Sequence, residues 1–368
     1  MKITKITAFR VALPLREGSY MWSGGKGVTE YDSTIVRIDT NEGVSGWGES
    51  VPLGPSYLPS YAAGVRAGIN ELGPSLIGQS PLHLSQLNRL MDAALKGHTY
   101  VKSALDIACW DILGKITGQP VSTLLGGRYG ETFPVYRAVS LGTPEEMVKR
   151  AADYRSQGFK HFQLKVGSSV EEDVARIRAV AEAAGPGEVV VADANTGWLR
   201  HEAMRIVQAV SDLNNVYIEQ PCSSYDECVS IRRHCRLPFV LDECIDSIDA
   251  LLRAHLEHAL DAVNIKVSRV GGLTRAREFR DLCTHLGIPM TIEDTAGSNI
   301  AMAAVSHLAH STAPELLFSC AAHTERVTVV TANGSPKLEN GRMRASEAPG
   351  LGITPIDSVL GTPVLEIA

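Results

Sequence analysis

Six polar residues, Lys165, Asp193, Glu219, Asp242, Lys266 and Asp294, each close a short apolar run. Successive members lie 23 to 28 residues apart, about the length of one strand-helix unit in a β/α barrel of about 250 residues. That spacing places all six at the C-terminal ends of strands, around one barrel mouth. Three of them, Asp193, Glu219 and Asp242, are carboxylates on consecutive strands. They would form an oxygen-rich site suited to Mg²⁺, with a lysine on either side.

From about Phe133 the chain repeats strand, loop and helix. Apolar runs cover residues 135–141, 161–166, 189–193, 216–219, 239–242, 262–267, 289–293 and 316–319. Their nearly continuous apolar character suits parallel strands buried on both faces, and eight of them imply a closed barrel. The intervening stretches are amphipathic helices, for example residues 170–184. The expected fold is α/β, a modified TIM barrel of (β/α)7β form over residues 129–330. Ahead of it, β-rich stretches at 3–13, 34–40 and 43–49 precede helical periodicity at 62–77 and 100–117. Asn41-Glu42-Gly43 offers a turn between the last two strands, and Gly-Gln-Pro at 118–120 stops the second helix. Residues 1–128 therefore read as an N-terminal α+β capping domain, in keeping with 368 residues being too many for one compact core. The Gly- and Pro-rich tail, 331–368, is expected to pack back on that domain.

A net charge of -6 leaves no basic footprint for nucleic acid. No apolar run reaches the roughly 18 residues of a membrane span. Residues 1–7 alternate apolar and polar side chains like an edge strand, without a signal-peptide core, so a cytoplasmic location is expected. The seven cysteines form no CxxC pair. Reduced, buried thiols are expected, with neither disulfide nor zinc.

A divalent ion held by the three carboxylates could chelate a substrate carboxylate and stabilise the charge that develops as the α-proton leaves. Lys165 and Lys266 could then serve as acid and base on the two faces of one carbon, if the site depresses their pKa. Helix caps and strand-end ion pairs are the ordinary fates of such residues. Three carboxylates at consecutive strand ends speak for metal ligation instead.

The chain resembles the enolase superfamily, in its muconate-lactonizing and mandelate-racemase-like branch, over essentially its whole length. The resemblance rests on Ala104-Leu105-Asp106-Ile107-Ala108-Cys109-Trp110-Asp111, Leu124-Leu125-Gly126-Gly127, Gln163-Leu164-Lys165, Asp193-Ala194-Asn195, Glu219-Gln220-Pro221, Asp242-Glu243, Lys266-Val267-Ser268-Arg269-Val270-Gly271-Gly272-Leu273 and Glu293-Asp294. It implies that Asp193, Glu219 and Asp242 hold Mg²⁺ and that Lys165 and Lys266 are the acid/base pair, a chemistry already described for this superfamily. The family's usual Lys-x-Lys is Gln-x-Lys here, so Gln163 is expected to hydrogen-bond the substrate. Sugar-acid dehydratases of related branches place a histidine on the seventh strand, where this chain has Asp294. That residue is expected to orient Lys266, bind the substrate amine or cap the next helix.

A closer resemblance is to the subgroup acting on proline derivatives, the cis-3-hydroxy-L-proline dehydratases and 4-hydroxyproline betaine 2-epimerases. It is carried by Gly54-Pro55-Ser56-Tyr57, the stretch from Gly97 to Asp106, Glu219-Gln220-Pro221-Cys222 and Lys266-Val267-Ser268-Arg269. Betaine epimerases of this kind carry a tryptophan after the eighth strand. Here Ser319-Cys320-Ala321-Ala322-His323 lacks an aromatic ring, which points to an amine rather than a betaine. The resemblance implies dehydration of cis-3-hydroxy-L-proline to 1-pyrroline-2-carboxylate. The alternative is 2-epimerisation of proline, hydroxyproline or proline betaine derivatives; a non-catalytic binding barrel is the remote one. The partner is then a small carboxylate, and the family habit implies a homo-oligomer. Tyr57 and Trp22 lie in loops expected to close over the mouth, with Glu243 turned away or in support. His98 and Tyr100 are expected in packing, and Gly271-Gly272 in an anion cradle or a tight turn.

Overall fold

The protein is described by a computed structural model covering residues 1–334 and 336–368. The chain opens with an antiparallel sheet of β1 (Ile3–Pro14), β2 (Glu30–Thr40) and β3 (Ser45–Ser50). Three helices follow: α1 (Ala62–Leu72), α2 (Leu84–Ala94) and α3 (Thr99–Thr117). α1 is shorter than its periodicity suggests. Gly73-Pro74 turns the chain into a short 3-10 segment, because proline cannot sit inside a helix without losing a hydrogen bond and clashing with the preceding turn. α2 lay outside the sequence reading. α3 is buried on nearly every side, since it is wedged between the sheet and the barrel. It approaches β3 so closely that a Cβ on Gly48 would stand 2.9 Å from the Ala104 carbonyl carbon.

Eight parallel strands follow: β4 (Tyr136–Val139), β5 (His161–Lys165), β6 (Val189–Asp193), β7 (Val216–Glu219), β8 (Phe239–Leu241), β9 (Ala262–Lys266), β10 (Met290–Glu293) and β11 (Leu317–Cys320). They are hydrogen-bonded in sequence order. Seven helices, α4 (Pro144–Ser156) to α10 (Asn299–His310), connect them on the outside. This is the (β/α)7β form. The ring is nearly closed rather than closed, because among the described residues no backbone ladder joins β11 to β4. At its base Phe318 fills space against His161 and Tyr217, at ring separations of 5.5 and 4.9 Å. α4, α5 (Val170–Glu182) and α7 (Tyr225–Arg232) begin with reciprocal capping boxes, Thr143/Glu146, Ser169/Glu172 and Ser224/Glu227, which fix where each strand-end loop stops. The tail returns to the first sheet as β12 (Leu365–Ile367), pairing Ile6 with Ile367.

Buried carboxylates fasten the first sheet and its helices to the barrel. Glu49 on β3 accepts from the backbone N–H of Ser298 and Ala301 and from the Ser298 hydroxyl, at the start of α10. Asp106 on α3 accepts from the Thr274 N–H at 2.9 Å and its hydroxyl at 2.6 Å, at the start of α9 (Leu273–Leu286). The anion at the Gly271-Gly272 turn is thus the protein's own. Gly272 has φ of 113°, and a Cβ there would stand 2.6 Å from the Asp106 Cβ. Gly272→Ala should therefore cost about 3 kcal/mol of stability through backbone strain and overpacking; a urea midpoint equal to wild type would refute this. Among the described residues no helix is long and apolar enough to cross a membrane. The cysteines are free, and only Cys244 is partly exposed.

Candidate active site

Strand register gathers the polar relay. Lys165 pairs with Asp193 and Asp193 with Glu219, so the C-terminal residues of β5, β6 and β7 share one row facing the barrel interior. Asp242 follows β8, two residues beyond Val240, the register partner of Glu219; with a side-chain period of two it projects on the same side. Across the ring Lys266 pairs with Glu293, the last residue of β10. All six of these side chains are buried.

Lys165 Nζ donates to Asp193, and Lys266 Nζ donates to Asp242. Lys266 also lies 3.2 Å from Glu293 and donates to the Tyr57 hydroxyl at 2.9 Å. Tyr57 in turn donates to Asp242 at 3.3 Å. Arg269 donates to Asp242 at 2.6 Å. Glu219 differs from its neighbours in having neutral partners, the amides of Gln163 at 3.1 Å and Asn264 at 2.7 Å. Gln163 thus contacts a carboxylate as well as lining the cavity. Backbone strain collects beside the carboxylates: Asn195 and Gln220 adopt φ of 42° and 36°. Gln220 uses this to accept from the Asp242 N–H at 3.0 Å, tying two strand ends together.

The electrostatics follow from burial and crowding. Burial, reinforced by Asp193 and Asp242, raises the Glu219 pKa well above the ordinary carboxylate value. Glu243 is pushed to about 8 by burial and the same two neighbours. Burial works against the charged form of Asp242, yet Arg269 and Lys266 hold it below its usual range. For both lysines burial favours the neutral amine, but the carboxylates outweigh it: Asp193 raises Lys165, and Asp242 and Glu293 raise Lys266. The depressed lysine pKa that base chemistry needs is absent from this arrangement. Each ammonium is acting as the counter-charge of a carboxylate.

Among the described residues no three His, Cys, Asp or Glu side chains already surround one point as metal ligands. The donor set nonetheless fits a hard divalent cation. Asp193, Glu219 and Asp242 are buried on consecutive strands and raise one another's energy when charged. Carboxyl groups at the mouth (Asp193, Glu219, Asp242, Glu243, Glu293, Asp294) outnumber the cationic Lys165, Lys266, Arg269 and Arg326. The buried polar atoms left without hydrogen-bond partners among the described residues include acceptor oxygens of Asn195, Asn264 and Glu243. Surplus oxygen acceptors at a buried carboxylate cluster suit Mg²⁺.

Asp294 lies one residue past β10. It accepts from the Ser268 N–H and hydroxyl and from the Thr295 N–H, and burial raises its pKa to about 7. Of its expected roles, orienting Lys266 falls to Glu293, which sequence reasoning passed over together with Asn264, Arg269 and Tyr136. Tyr57 and Trp22 both line the cavity between the lysines, and Trp22 stacks on Tyr20 at 5.9 Å. Glu243 accepts from the Asn195 side chain at 2.9 Å. Tyr100 donates or accepts across to Thr295 at 2.6 Å, a packing contact between α3 and the barrel. The cavity itself is about 30 Å³, well below an ordinary small-molecule site, so a substrate must displace side chains now paired across it. A larger groove of about 560 Å³ borders Glu243 and Arg269, but neither lysine lines it. The loop after β11 brings the His323 imidazole but no Trp, Tyr or Phe ring, yet Tyr20, Trp22, Tyr57 and Tyr136 reach the cavity from other elements. Aromatic faces that could meet a cationic nitrogen are therefore present at the cavity outside that loop.

Comparison with known proteins agrees with this geometry. Residues 9–126 match the family described as mandelate racemase / muconate lactonizing enzyme, N-terminal domain, and residues 146–359 match enolase C-terminal domain-like. The cis-3-hydroxy-L-proline dehydratase of Roseibium aggregatum is 56% identical over 99% of both chains. The N-succinyl-L-Arg/Lys racemase of Bacillus cereus is 33% identical over 96% of this chain and 95% of its own. The crystal structure of an enolase superfamily member from Roseovarius nubinhibens, complexed with magnesium, superposes with a TM-score of 0.94 at 38% identity, covering 100% of this chain and 99% of that one. With both parts of its length matched, the chain is an enzyme of the enolase superfamily, in its mandelate racemase/muconate lactonizing branch.

Proposed function

We propose that this enzyme dehydrates cis-3-hydroxy-L-proline to 1-pyrroline-2-carboxylate. The observation that carries the reading is the pair of buried lysines on opposite sides of one carboxylate cluster, Lys165 on β5 and Lys266 on β9. Its substrate class is supported by the 56% identity to a dehydratase of that name. Asp193, Glu219 and Asp242 would hold Mg²⁺, which when bound neutralises these carboxylates and makes the proton next to a substrate carboxylate more acidic.

In cis-3-hydroxy-L-proline the hydroxyl lies on the carboxylate's face of the ring and the α-hydrogen on the other, so loss of both is an anti elimination. One lysine takes the proton from C2. The C2–H electron pair becomes the C2–C3 double bond, the C3–O bond breaks, and the opposite lysine gives its proton to the departing hydroxyl, which leaves as water. The resulting enamine tautomerises to 1-pyrroline-2-carboxylate. Both lysines begin paired with carboxylates, so the one that acts as base must first lose the proton that those carboxylates hold on it. Glu293 and Tyr57 hold Lys266 in place. Tyr57→Phe, which removes a hydroxyl bonded to both Lys266 and Asp242, should lower kcat/KM about tenfold; an unchanged value would make Tyr57 packing only.

The same pair of lysines could return a proton to the opposite face of a substrate without a leaving group, and a racemase is among the relatives. Proton NMR in D₂O with Mg²⁺ separates the two. The panel is L-proline, cis- and trans-3-hydroxy-L-proline, 4-hydroxyproline and their betaines. Loss of water from the cis-3-hydroxy compound is expected. α-Deuteration with inversion and no loss of water would overturn dehydration in favour of 2-epimerisation.

A further inference from the structure

Arg137 on β4 is buried, with 6% of its surface exposed. Its Nε and Nη1 find no hydrogen-bond partner among the described residues. Nη2 lies 3.4 Å from the Glu325 carbonyl and 3.6 Å from the Glu17 carboxylate. A guanidinium is always charged and carries five N–H donors, and leaving such donors unmet in the interior is costly. Arg137 borders a cavity of about 20 Å³ that it shares with Glu17, Tyr20, Ser140, Tyr154 and Arg326. That volume exceeds the roughly 10–15 Å³ needed to seat one water-sized particle, so a slightly larger halide would press directly on its lining.

The lining sets two guanidiniums against one carboxylate. Arg326 lies 4.8 Å over the Tyr20 ring and makes no ion pair among the described residues. Glu17 already accepts from the Tyr154 hydroxyl at 2.7 Å, and Arg137 stacks on that same ring at 4.8 Å. Positive charge, unmet donors and a single-particle volume coincide. We propose that Arg137 and Arg326 hold one small inorganic anion of chloride size at this point.

The site joins two parts of the molecule. Glu17 and Tyr20 belong to the segment that covers the barrel mouth, whereas Arg137 and Ser140 belong to β4 and the residue just beyond it. The segment is otherwise fastened there by Met21 N–H donating to Ser140 Oγ at 2.9 Å and by Leu141 N–H donating to the Met21 carbonyl at 3.1 Å. An anion between the two arginines adds a charged tie at that seam. Because Tyr20 and Arg326 also line the cavity between the lysines, the ion steadies one wall of it without entering it.

Bromide provides the direct test, since it scatters anomalously and matches chloride in charge. A crystal of the wild-type protein soaked in sodium bromide should show an anomalous peak between Arg137 and Arg326. An ordered water there with no anomalous signal would overturn the proposal. In solution, replacing gluconate by chloride at constant ionic strength should raise Tm saturably by about 2 °C. Amide exchange of residues 15–22 should slow with the same chloride midpoint. Arg137→Met should abolish both responses. A Tm that follows ionic strength whatever the anion, or a chloride response that survives in Arg137→Met, would also reject the site.

Discussion

Replacing either Lys165 or Lys266 by glutamine should lower kcat for dehydration by about 10³-fold or more. The two variants should fail differently. Anti elimination needs a base on one face and an acid on the other, so the variant that keeps the base still exchanges the substrate's α-proton with D₂O while losing no water. The variant that lacks the base does neither. Folding must be checked alongside, because each lysine is the buried counter-charge of a carboxylate, and removing one partner of a buried pair costs about 3–5 kcal/mol. Glutamine keeps a hydrogen-bond donor of similar reach and limits that penalty. Circular dichroism and a metal-loaded Tm show whether lost turnover reflects chemistry or unfolding. Full dehydratase activity in either folded variant would defeat the two-lysine scheme.

The barrel and its mouth were legible because two independent periods coincide: continuous apolar runs mark strands buried on both faces, and polar residues at unit-length spacing mark their C-terminal ends. Where the reading fell short, it missed by one residue or by one face. The polar residue that faces the interior at the seventh strand is Glu293, the register partner of Lys266, while Asp294 sits one position later and binds the Ser268 turn. Both members of the acidic pair line the cavity, and taking the last polar residue of the run singled out only the second. Asn264 stands two residues before Lys266, as Gln163 stands two before Lys165; alternation along a strand puts each on the face of its lysine. That signal was present for both, but Gln163 was singled out by the family's Lys-x-Lys pattern and Asn264 not at all. Arg269 gave no such signal. It reaches Asp242 from a single helical turn, Val267–Val270, that begins where the apolar run was expected to continue as strand. The loops were harder still: Trp22 and Tyr57 were placed over the mouth by the family resemblance, since nothing local to them or to Tyr20 states that they meet over a distant barrel. The roles of Glu49 and Asp106 in capping barrel helices follow from tertiary approach alone.

Chelation with EDTA should abolish turnover, and returning Mg²⁺ should restore it together with a saturable rise in Tm. A cation that binds only the folded state adds about 2.7 kcal/mol of stability at a concentration of 100 Kd. The gain is large here because the carboxylates at the mouth are buried and repel one another, most visibly at Glu219. Glu219→Gln is the variant that isolates this effect. Asp193 and Asp242 each neutralise a buried lysine, so removing either charge also strands a cation. Glu219 instead faces the neutral amides of Gln163 and Asn264, and its substitution relieves repulsion from Asp193 and Asp242. The metal-free Tm of Glu219→Gln should therefore equal or exceed that of the metal-free wild type, while its rise with Mg²⁺ shrinks and turnover collapses. Higher intrinsic stability with lost function is the signature of a group kept charged for a ligand rather than for the fold. A Glu219→Gln protein whose Tm still rises with Mg²⁺ along the wild-type curve would place the metal elsewhere.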